Sequence, residues 1–140
     1  MQELLDQIKA QIDRYEANYK TMTIPTLLNA QDWFAIQNIR LSEFCADFKQ
    51  DYNEKYYIRR IAVAQQEQHL INQHSFKQGQ AQSQATIDKK NEYEEELQAQ
   101  SFAYRIDLLL KAVNVLIKAI QQRISYLKQI QQNEERQNRA

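Results

Sequence analysis

An all-α fold is predicted by three features of this sequence. Glycine and proline occur once each in 140 residues, as Gly79 and Pro25. That is too few for the frequent turns of a β-rich domain, which favour Gly, Pro, Asn and Asp. The dominant residues are Gln, Glu, Lys, Ala, Leu and Ile, and most of these are good helix formers. Near the C-terminus, apolar residues recur at alternating four- and three-residue intervals, the period of one helix face. The length fits a single domain over residues 1–140, able to bury a core without metals or disulfides. The predicted architecture is a long antiparallel helical hairpin, coiled-coil-like, with a shorter N-terminal helix packed along it and dimerisation into a larger helical bundle.

The first helix is expected over about residues 2–21, where Leu5, Ile8, Ile12, Tyr15 and Tyr19 form a heptad-type seam. "TMTIP" should end it, since Pro25 lacks an N–H and disfavours helical angles at Ile24. The second is expected over about 29–74, with Asn29 as N-cap, Asp32 in the first turn, and Leu28 and Trp33 as a hydrophobic staple. The third is expected over about 76–133. Two readings compete at its start: a Gln/Ser loop over 74–86, or a helix capped by Ser75 with Gln78 completing a capping box and Gly79 inside it. The capped helix is preferred, because a long structureless loop is uncommon in a compact domain.

The C-terminal stripe has two rows. Ile106, Leu110, Val113, Ile117, Ile120, Ile124 and Leu127 make one. Phe102, Leu109 and Leu116 flank it at sevens. Two adjacent rows make a face wide enough to touch two neighbours. The first helix is too short to cover the whole hairpin, so part of the groove is expected to serve as an interface, most simply between two copies of the chain. The partner or self-association face is placed at Leu109, Val113, Leu116, Ile120 and Arg123.

The 18 basic and 18 acidic residues cancel, which argues against a protein held to nucleic acid by bulk charge. Charge is nevertheless uneven, with nine acidic and five basic residues over 1–54 and seven basic and three acidic over 105–140. Within the balanced middle, Lys55, Tyr56, Tyr57, Arg59 and Arg60 interleave cations with rings. That pattern can hold phosphates while bases stack. The competing reading is a packed mid-helix segment whose arginines pair with the acidic first helix.

Chemistry-bearing motifs are sparse. His69 and His74 are five apart, not the three or four that align two ligands on a helix, and no Glu-x-x-His motif occurs. No triad, nucleophile elbow or glycine-rich phosphate loop is present. An enzyme is not expected, nor a metal or other cofactor. The lone Cys45 reads as a structural thiol in a reducing compartment. No run of 18 or more uninterrupted apolar residues marks a membrane span, and no secretory h-region follows Met1. A soluble, cytoplasmic protein is expected.

The segment from Tyr52 to Lys128 resembles small all-helical coiled-coil proteins of tailed bacteriophages, often encoded near early replication or recombination genes. The resemblance is carried by "YNEKYYIRRIAVAQQ", the polar "SFKQGQAQSQA", and the Leu-rich helix ending "LIKAIQQRISYLKQI", where Arg123, Ile124, Ser125 and Leu127 fill the closing pattern. It implies a phage or mobile-element origin and a host-cell cytoplasmic setting, and it supplies no catalytic residues. The expected function is a non-enzymatic helical protein-interaction module. It would be homodimeric and act stoichiometrically on a protein partner as adaptor or inhibitor. Two alternatives are an accessory that binds single-stranded nucleic acid in replication or recombination, and a virion-assembly or scaffolding component.

Overall fold

In a computed structural model the described residues, Met1–Arg139, form four α-helices and no strand. They are α1 (Gln2–Asn18), α2 (Ile24–His74), α3 (Gln78–Asp88) and α4 (Lys90–Arg139). A single 3-10 turn, Tyr19–Thr21, follows α1.

Helix α2 starts at Ile24, not near Asn29. Thr23 caps it, its Oγ accepting the Thr26 N–H at 3.4 Å while its carbonyl accepts the Leu27 N–H at 2.9 Å. Pro25 therefore falls in the first turn, where N–H groups have no intrahelical acceptor and the missing donor costs nothing. Asn29 and Asp32 lie inside the helix instead of opening it.

Ser75 also departs from expectation. It adopts φ 57°, a left-handed conformation costly for a residue with a Cβ, and it terminates α2 instead of capping the next helix. The Phe76 N–H turns back onto the Leu70 carbonyl at 3.3 Å. Helix α3 begins two residues later than the preferred reading, and the Gln80 side chain accepts the Lys77 N–H at 3.4 Å. Gly79 is inside α3, with nothing within 4 Å of where a Cβ would sit. Gly79→Ala is accordingly expected to stabilise the protein by about 0.4–1 kcal/mol, by restricting the unfolded chain. A rise in thermal midpoint by circular dichroism checks this.

The expected third helix is two helices. They are separated at Lys89 (φ −103°, ψ 29°), where no Gly or Pro signals a break. Just before the bend, the Asp88 carboxylate accepts hydrogen bonds from Gln66 of α2 and Gln84 of α3, both at 2.8 Å. Those two bonds hold its pKa below the ordinary aspartate value. Helix α4 then runs to Arg139, past the expected end near Asn133.

The chain divides into two compact units, residues 1–42 with 108–140, and residues 43–107. In the first, α1, the start of α2 and the end of α4 enclose a core of Ile8, Tyr15, Leu27, Phe34, Leu41, Val113, Ile120 and Ile124. Leu27, Phe34 and Leu41 recur at sevens, as do Ile8 with Tyr15 and Val113 with Ile120, so each helix sends one heptad row inward. Buried Gln37 interrupts the α2 row, and among the described residues no group reaches its Oε1. Asn38 and Asn114 hydrogen-bond side chain to side chain between α2 and α4.

In the second unit, α2 pairs with α3 and the start of α4. Gln66 meets Asp88, Arg59 meets Glu96, Phe48 stacks on Phe102, and Lys49 meets Asp107. From Gln66–Asp88 through Arg59–Glu96 to Phe48–Phe102, numbers fall on α2 as they rise along the other arm, so the two are antiparallel. Leu70 packs on Ala81 and Ala85, with Val63 and Phe76 at the edge. Ala81 and Ala85 are fully buried there. Cys45 is buried, with its Sγ 3.8 Å from Asp107 Oδ1.

Candidate functional site

The proposed C-terminal face is split by the structure. Val113 and Ile120 are completely buried in the core of the first unit, enclosed by its own helices. Leu109 and Leu116 are half-buried against the same core. Neither buried residue is open to a partner, because α1 closes over this length of α4.

The exposed apolar row of α4 in this unit lies one residue earlier in the repeat. Leu108 is 47% exposed and Val115 68%. At 100° per residue these positions point nearly opposite Val113, Ile117 and Ile120. The signal was present in the sequence: "LLL" at 108–110 and "VLI" at 115–117 are apolar triplets seven residues apart. A core needs only the second and third member of each, so the first is surplus to folding. On α2 of the same unit, Ile36 and Ile39 are likewise more than half exposed.

Arg123 has a different setting from Leu109 and Leu116. Its Nη2 donates to the Lys20 carbonyl at 3.1 Å, and its guanidinium lies 5.4 Å from the Tyr126 ring centre. Tyr15 and Tyr19 stack at 5.6 Å nearby. Burial pushes the Tyr15 hydroxyl pKa up, while the Arg123 charge opposes that shift. In the sequence Tyr15 and Tyr19 belong to a packing seam with no link to Arg123, since 104 residues separate Tyr19 from Arg123 along the chain and only folding brings them together.

The Lys55–Arg60 segment lies on α2 of the second unit. Arg59 does not pair with the first helix. It forms a two-pronged bond to Glu96 of α4, Nε to Oε2 at 2.7 Å and Nη2 to Oε1 at 3.1 Å. That bond raises the Arg59 pKa further above its ordinary value. Its guanidinium is also flanked by the Tyr56 and Tyr93 rings at 5.0 and 4.7 Å. Lys55 lies 3.9 Å from Glu95. Arg60 rests over Tyr56 at 5.6 Å and remains exposed. Glu95 and Glu96 thus supply counter-charges to this face, and the patch is less cationic than its own segment suggests. Tyr57, Ile58 and Ile61 beside it are all more than half exposed.

His69 and His74 do meet, their rings edge-to-face at 5.4 Å. Among the described residues no group of three or more His, Cys, Asp or Glu is placed to hold a metal ion. None of the described helices is long and apolar enough to cross a membrane. Comparison of the chain with protein-family models, with curated proteins and with solved structures finds no match.

Proposed function

We propose that this chain is a non-enzymatic helical interaction module that self-associates and acts stoichiometrically on a protein partner, as adaptor or inhibitor, in a phage or mobile-element setting. The observation that carries the reading is the pair Leu108 and Val115. They are two branched aliphatic side chains one heptad apart, on the face of α4 turned away from the core, and about half or more exposed. Water contact with such a row costs free energy in proportion to its area, and helix packing removes it. A second copy of the chain is the simplest cover, because a twofold contact needs only one self-complementary patch.

Sedimentation equilibrium tests this. The wild-type chain is expected to show twice its monomer mass as concentration rises. Val115→Glu should remain monomeric. Because Val115 is exposed, the same substitution should change the unfolding free energy of the monomer by no more than about 0.5 kcal/mol. A monomer at every concentration would remove self-association from the reading.

A further inference from the structure

We infer that the cleft between the C-terminal end of α1 and the last third of α4 binds a nucleobase together with its phosphate. The cleft measures about 500 Å³, and Tyr15, Tyr19, Arg123 and Tyr126 wall it, with Glu16 and Gln122 also lining it. All of it lies within the first compact unit. It is a different surface from the Lys55–Arg60 segment and from the Leu108–Val115 row, and it goes beyond the interaction-module reading.

Three observations lead to that ligand. The first is flat surface: the Tyr126 side chain is 54% exposed, with the Arg123 guanidinium over its ring, while the half-buried Tyr19 ring stacks on Tyr15 and has the Lys20 ammonium over it, so Tyr126 is the platform for a planar group. Aromatic rings stack on bases of any sequence. The second is charge. Among the described residues no carboxylate lies within salt-bridge distance of Arg123, and only the Lys20 carbonyl takes one of its donors. The Lys20 ammonium stands 5.9 Å from the Tyr19 ring centre. Among the described residues neither cation has a carboxylate within salt-bridge distance, which suits an anion joined to a flat group; the Arg123 Nε is buried and Nη2 is bonded to the Lys20 carbonyl, so a phosphate would be met by the outer Nη1 edge. The Arg59 site makes the contrast, because there the same Tyr–Arg arrangement is closed by Glu96. The third is the polar edge. The Gln122 amide offers both donor and acceptor, and the Glu16 carboxylate accepts only. Glu16 would repel a purely anionic ligand, but it can take a hydrogen bond from the amino group of a base. That points to adenine, cytosine or guanine over an unsubstituted aromatic acid.

The nucleotide could arrive free or as one unit of a single strand, and the test separates these sources. Calorimetric titration with AMP and with inorganic phosphate is run beside fluorescence anisotropy with a labelled oligo-dA. Saturable AMP binding, with phosphate alone far weaker, is expected. Tyr126→Ala should weaken it by roughly fivefold or more, and Arg123→Gln should weaken it and flatten its salt dependence. Arg60→Ala and Val115→Glu should leave it unchanged, so failure of the interaction-module reading is distinguishable from failure of this one. Tyr126→Ala removes a half-exposed side chain, so that variant keeps its fold and reports on the cleft even where Arg123→Gln does not fold. Tighter binding of the oligonucleotide identifies a strand as the source, and AMP binding without it identifies the free nucleotide. Binding by neither probe would overturn the inference. So would phosphate binding as well as AMP, or binding indifferent to both cleft substitutions.

Discussion

Replacing Phe34 with Ala is expected to cost about 3–5 kcal/mol of unfolding free energy. Phe34 is 2% exposed, at the middle of the α2 heptad row that also contains Leu27 and Leu41. Its ring meets the ring of Trp33 edge-on at 5.1 Å, a geometry worth about 0.5–1.5 kcal/mol beyond the area buried. Truncation removes the ring and leaves a void between helices that cannot all close upon it. For a domain stable by about 5–15 kcal/mol, that is a large fraction of the total. Trp33 is the single tryptophan, so its fluorescence reports this unit directly. Urea titration followed at Trp33 should show an earlier midpoint and a changed native emission. A loss below about 1 kcal/mol would mean that Phe34 does not fill the core.

The second large effect is expected at Arg59. Arg59→Ala should destabilise the protein by about 1.5–3 kcal/mol, the range for hydrogen bonds to charged groups. Side-chain exposures are 19% for Arg59 and 12% for Glu96, so the substitution strands a largely covered carboxylate between helices. Water still reaches part of the pair, which keeps the figure below that for a fully buried one. Arg59→Lys should recover little, because an ammonium lacks the fork that binds both Glu96 oxygens and stacks poorly between Tyr56 and Tyr93. Arg59→Ala combined with Glu96→Ala should cost less than the two single effects added, since neither charge is then left alone. Hydrogen exchange over the start of α4 localises the loss. Additive single effects would show that the pair carries no coupling.

These two residues also separate what can be read along a chain from what cannot. Phe34 belongs to a heptad row visible in the sequence, as do Ile8, Val113 and Ile120, so a core on one face of each helix was legible there. Arg59 was legible only as a cation beside tyrosines. Its partner Glu96 lies 37 residues away, and the sequence alone points to the acidic first helix as the counter-charge.

The helix ends follow the same division. Gly79 was readable as a helical residue because its neighbours favour helix and a loop would be long. The start of α2 is not legible in the sequence, because Pro25 looks like a stop when its place in the turn is unknown. Thr23 decides that place by capping. The bend at Lys89 has no local cause in residue type, and it falls next to the Asp88 contact with Gln66, a tertiary interaction.

By itself, then, the sequence determined that the chain is all-α, which face of each helix is apolar, and that two arms can pair antiparallel. These follow from a period of 3.6 residues and from the scarcity of Gly and Pro, both local properties. Only the tertiary structure decided which apolar residues are spent on the core and which remain outside. It placed Val113 within and Val115 in water, gave Arg59 a carboxylate, and left Arg123 among rings with none in salt-bridge reach among the described residues. The physical reason is that burial and charge pairing depend on which helix lies opposite, and residues far apart in the chain set that.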